Sequence, residues 1–141
     1  MSKELFNRLK QLNLPKGKYA VFGSAPMCIR GLRECRDLDV IVTEDLFNEY
    51  SKKEGWETKK TEKSVYLDNN GIEFWKDWGP DWAPEGQWDI QTLIDEAEII
   101  DGLPIVRLKE VLKWKSVLRR EKDLKDLKLI EGYLKSNKNM Y

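Results

Sequence analysis

The sequence predicts an α/β (α+β) fold, a mixed β-sheet with flanking helices. In the first fifty residues, short apolar runs alternate with helical patterns, as in chains that lay a sheet between helices. Later runs come in pairs around tight-turn signals, and two helical patterns close the chain. Alternation followed by hairpins argues for a mixed sheet over a fully parallel one.

Leu5, Leu9 and Leu12 recur at helical spacing and predict a helix over residues 2–12, closed before Pro15. The apolar run Lys18–Phe22 suits a buried strand. A helix is expected over Met27–Glu34, then a strand over Asp37–Val42, which is rich in β-branched residues. Thr43 is placed as an N-cap. Glu44 and Asp45 follow in the first turn, where negative charge complements the macrodipole of a helix running to about Lys53. Ser64–Leu67 and Ile72–Trp75 flank Asp68-Asn69-Asn70-Gly71, a turn signal tolerant of positive φ. Glu98–Ile100 and Pro104–Val106 flank Asp101-Gly102, and Pro104 is expected to make one of these strands an edge. Leu108, Val111, Leu112 and Leu118 mark one closing helix; Leu124, Leu127, Ile130 and Leu134 mark a second. This helical pair covers residues 107–136. No repeat or Pro/Ser-rich linker divides the chain, so a single domain over residues 1–141 is expected.

Composition narrows the chemistry. Residues are 40% hydrophobic and 35% charged, without an apolar stretch of membrane-spanning length. The first residues lack the apolar core of a signal peptide. A cytoplasmic location and no membrane partner are expected. The chain has no histidine, which excludes His-based triads, His-ligated zinc and His general bases. Cys28 and Cys35 are too few for a zinc site or a disulfide framework. If a helix joins them, a disulfide does not easily span the two turns, so they are expected as small buried hydrophobes. The net charge of +0 hides an asymmetry: residues 73–101 carry nine acids and one base, residues 107–138 eleven bases and five acids. A basic helical tail beside an acidic middle can turn cations toward an anionic ligand.

The chemistry concentrates in two short patterns. Asp37 and Asp39 stand two apart on a strand, so their carboxylates share a face roughly 7 Å apart. Such a pair raises its own pKa values unless a cation neutralises it, and Mg²⁺ accepts carboxylates together with phosphate oxygens. Gly23-Ser24 ends the preceding strand in a turn whose backbone can approach a ligand and whose amides can bind an anion. Glu73, between Ile72 and Phe74, is the candidate third acid, with Asp68 and Asp77 as weaker substitutes.

Gly-Ser, a helix, Asp-Leu-Asp in an apolar strand and a later hydrophobic–acid–hydrophobic strand together resemble the nucleotidyltransferase superfamily of the DNA polymerase beta type. The small single-domain bacterial and archaeal members are most similar. The likeness covers residues 18–130, and the stretch from Lys115 through Asp126 resembles a helical motif of related enzymes. The resemblance implies that Gly23 and Ser24 contact the triphosphate of ATP or another nucleotide. It implies that Asp37 and Asp39 ligate Mg²⁺ or Mn²⁺, with Glu73 as third metal-site acid orienting or deprotonating an acceptor hydroxyl. The expected reaction moves a nucleoside monophosphate onto a protein, RNA or small molecule by in-line displacement. Two departures from the family pattern are Glu at position 73, where Asp is frequent, and Pro26 close to the Gly-Ser turn.

Peripheral residues can add to binding. Trp75, Trp78, Trp82 and Trp88 surround a Pro/Gly-containing loop that can stack a base, cover the acceptor, or simply pin itself onto the core. Lys115, Arg119, Arg120 and Lys122 lie on the closing helices, where they can reach phosphate but are expected to be mostly solvated, with Arg120 and Lys122 the candidate phosphate ligands. Two rivals stay open: a catalytically silent fold that binds a partner protein, as in toxin–antitoxin pairs, and an RNA-binding module using the basic tail.

Overall fold

The computed structural model describes residues 2–62, 64–78 and 89–136. Its elements are helix α1 (Ser2–Gln11), strand β1 (Tyr19–Phe22), helix α2 (Ala25–Cys28), strand β2 (Leu38–Val42) and helix α3 (Glu44–Ser51). Strands β3 (Glu57–Lys60), β4 (Val65–Asn69) and β5 (Ile72–Trp75) follow. Helix α4 (Ile90–Asp95), strands β6 (Glu98–Ile100) and β7 (Leu103–Ile105), and helices α5 (Leu108–Leu118) and α6 (Glu121–Ser136) complete the chain.

The strands form one mixed sheet in the order β3-β4-β5-β2-β1-β7-β6. The β2–β5 and β1–β7 pairs are parallel, and the others antiparallel. The β4–β5 and β6–β7 turns each have two central residues at positive φ, Asn70 with Gly71 and Asp101 with Gly102. That is the type I′ geometry whose twist matches the flanking strands.

Strand alternation sorts side chains onto two faces. On one face Val21, Leu38, Val40, Val42, Ile72 and Phe74 pack with Leu5, Phe6 and Leu9 of α1 and Leu46, Phe47 and Tyr50 of α3. On the other, Ala20, Phe22 and Ile41 pack with Leu93 and Ile94 of α4, Val111 of α5 and Ile130 of α6. Fully burying such a side chain contributes about 1.5–3 kcal/mol. The two layers of helix therefore fix the sheet from both sides, and the second face carries the polar residues described below. Among the described residues, no helix is long and apolar enough to cross a membrane.

Several expectations change. The predicted helix over residues 27–34 is a short turn of helix. Gly31 takes φ 76°, and the amides of Gly31 and Leu32 bond back to Cys28 and Met27, a Schellman stop. Because the chain reverses there, Cys35 returns beside Cys28, and the two form a disulfide with Cα atoms 5.9 Å apart. The pair is buried, as expected, but it is not two free thiols. Strand β3 and helix α4 were not predicted. The Pro104 strand lies inside the sheet between β1 and β6, and its hairpin partner β6 is the edge.

Candidate functional site

Strand β1 delivers its last residue, Phe22, opposite Asp39 of β2. Gly23 then takes φ 62°, a left-handed turn, and a Cβ there would overlap Asp39 Oδ2. Glycine is required twice over, by conformation and by the close approach of the carboxylate. Ser24 N-caps α2 without using its hydroxyl as a cap. That hydroxyl instead accepts a hydrogen bond from Lys115 Nζ on α5 at 3.4 Å.

The parallel pairing of β2 with β5 sets Asp39 beside Glu73. Their side chains are hydrogen-bonded to each other. Burial, the bond to Asp39, and the charges of Asp39 and Asp37 push Glu73 up to about 8. Burial and the Asp37 charge also push Asp39 up. A protonated Glu73 donating to the Asp39 carboxylate raises Glu73, and at Asp39 it only partly offsets the rise caused by burial. Trp75, on the same face of β5, donates its indole N–H to Glu73 Oε1 at 3.2 Å. Asp37 precedes β2 and is exposed.

These groups line an open cleft of about 970 Å³. The three carboxylates share it with Ser24, Trp75, Trp78, Trp114, Lys115, Arg120 and Lys122. A second charged group meets the same cleft. Lys115 is only 2% exposed, with Nζ 2.9 Å from Asp126 Oδ2 and 3.5 Å from Asp123 Oδ1. Arg120 Nε lies 2.6 Å from Asp123 Oδ2, and Arg33 Nη1 lies 2.8 Å from Asp126 Oδ2. Burial favours the neutral acid at Asp123, but hydrogen bonds from Arg120 and the nearby cations outweigh it and hold Asp123 below its usual range.

Gly23, Ser24, Asp37, Asp39 and Glu73 thus converge at one end of the sheet, all but Gly23 lining the cleft. Arg120 and Lys122 stand at its wall, although Arg120 is engaged by Asp123. Of the substitute acids, Asp68 is drawn to Lys59 at 3.0 Å, and Asp77 accepts from Ser64 Oγ at 2.8 Å. Trp82 and Trp88 lie outside the described residues. Sequence reasoning passed over Trp114 and read Lys115 as mostly solvated. The signal for Lys115 is positional: Leu108, Val111 and Lys115 fall on one buried stripe of α5.

As a donor set, three carboxylates offer oxygen ligands suited to a hard divalent cation. Among the described residues no three acidic or sulfur groups already stand in a metal-holding arrangement. No protein-family model, no curated protein and no solved structure matches the chain.

Proposed function

We propose that this chain is a metal-dependent nucleotidyltransferase that moves a nucleoside monophosphate from a triphosphate to a hydroxyl acceptor. The observation that carries this reading is the Asp39–Glu73 pair, crowded with Asp37 in a cleft that Ser24 and Lys115 also line. Crowded acids with raised proton affinity are a common mark of a site awaiting a cation. Asp37, Asp39 and Glu73 would hold Mg²⁺ or Mn²⁺, which when bound supplies positive charge for phosphoryl oxygens.

The chain's own residues divide the remaining work. Ser24 and the Lys115 ammonium bind the outer phosphates, and Lys122 at the wall adds attraction for an anion. Asp39 fixes the position of Glu73 through the β2–β5 register. Glu73, once its proton is displaced by the cation, would orient the acceptor's hydroxyl or receive its proton. The acceptor oxygen forms a bond to the α-phosphorus, the bond from that phosphorus to its bridging oxygen breaks, and pyrophosphate leaves.

The test is incubation of the protein with α-labelled nucleoside triphosphates, Mg²⁺ or Mn²⁺ and cell extract. Label should appear on an acceptor and vanish with Asp37→Asn plus Asp39→Asn. Absence of a labelled product, or label indifferent to the double substitution, overturns the reading.

A further inference from the structure

We propose that the nucleobase of the triphosphate stacks on a tryptophan wall of the cleft, so that the site accepts all four bases and binds purines tightest. This rests on the nucleotidyltransferase reading and adds its substrate selectivity. Trp75 comes from β5, Trp78 from the segment after it, and Trp114 from α5, yet all three line the same cleft and are partly exposed. Their rings brace one another. Trp78 lies 5.1 Å from Trp114 and 5.8 Å from Trp75, both edge-on. Trp78 also stacks on the fully buried Phe22 at 4.9 Å, and Trp75 stacks on Tyr66 at 4.4 Å. A wall backed this way is already ordered, so little side-chain entropy is lost when a flat ligand arrives.

The wall adjoins the phosphate side of the cleft. Trp114 and Lys115 are consecutive on α5, and Lys115 Nζ lies 4.8 Å from the Trp114 ring centre while also meeting Ser24 Oγ. An aromatic surface beside a buried ammonium matches a ligand with a flat apolar end and a polyanionic tail. A nucleoside triphosphate has both parts.

The wall reads faces, not edges. The Trp75 indole N–H is engaged by Glu73. The Trp78 N–H is buried, with no partner among the described residues, and a lone donor cannot separate bases that all carry acceptors. Stacking tolerates every base and grows with ring area.

Calorimetric titration with ATP, GTP, CTP, UTP and inorganic tripolyphosphate, each with Mg²⁺, tests this on the full chain. All four nucleotides should bind within about tenfold of one another, purines tightest, and each about tenfold tighter than tripolyphosphate. Trp114→Leu should bring nucleotide affinity down to that of tripolyphosphate, whose own binding stays unchanged. Trp114→Phe should keep most of the nucleotide preference and guards against a folding defect. A single base favoured by more than about 100-fold, or nucleotides no tighter than tripolyphosphate, overturns stacking and leaves the phosphate site standing. Failure of every one of these ligands to bind overturns both.

Discussion

Two groups of acids sit at one cleft in opposite electrostatic conditions. Asp123 and Asp126 are buried but neutralised by Lys115, with Arg120 and Arg33 closing the outside. Asp37, Asp39 and Glu73 have no cation in direct contact among the described residues, and burial and mutual repulsion raise the proton affinity of the last two instead. The contrast separates acids already neutralised within the fold from acids left without a cation. A fold that can supply a buried lysine to one acid pair could have done so for the other. The uncompensated group is the one expected to act on a ligand.

The largest effect should come from Asp37→Asn with Asp39→Asn. Nucleotide transfer should fall by at least about 10³-fold, several kcal/mol of lost charge stabilisation. Thermal stability should hold or rise, since repulsion is relieved. A marked fall in Tm would make this cluster structural and erase the contrast. Lys115→Met should do the reverse and destabilise by about 3–5 kcal/mol in urea unfolding, because two buried aspartates lose their shared cation. The pH profile distinguishes the groups further. Glu73 binds its proton more tightly when folded, so the stability it contributes is present below 4.5 and is lost as pH rises toward about 8. Asp123 has the opposite sign: its contribution is full above the ordinary carboxylate range and disappears as pH falls through its lowered folded value. In metal-free protein, Asp39→Asn should therefore flatten the decline of Tm between pH 5 and 8 and leave the acid limb intact. The smallest effect belongs to Arg33→Ala, a loss of about 1 kcal/mol or less, because that guanidinium is 38% exposed and Lys115 still serves Asp126.

Much of the frame was legible in local pattern. The apolar runs at β1, β2 and β5 and the Asn-Gly and Asp-Gly turns each announce themselves within a few residues. Strand β3 does not, because Glu57–Lys60 is exposed at every position and its pairing with β4 alone makes it a strand. Helix α4 is six residues long and capped by Asp89, whose carboxylate accepts from the Thr92 amide. It is too short to show a helical period. The overlong helix at 27–34 and the overlooked disulfide share one cause, the Schellman stop at Gly31. Convergence of Asp39 with Glu73 was legible as a possibility. The placement of Lys115 was obscured by the habit of reading lysine as solvated, while its buried partners sit on another helix.

The parallel pairing of β2 with β5 also has a kinetic side. The β4–β5 hairpin can close locally around Asn70-Gly71, but Asp39 meets Glu73 only when two strands distant in the chain are brought together. Closing that long loop is a slow event for any chain. Here the same event forces two acids into contact. The chemical group of greatest interest therefore burdens the assembly step that creates it, and a divalent cation present during refolding should quicken that step.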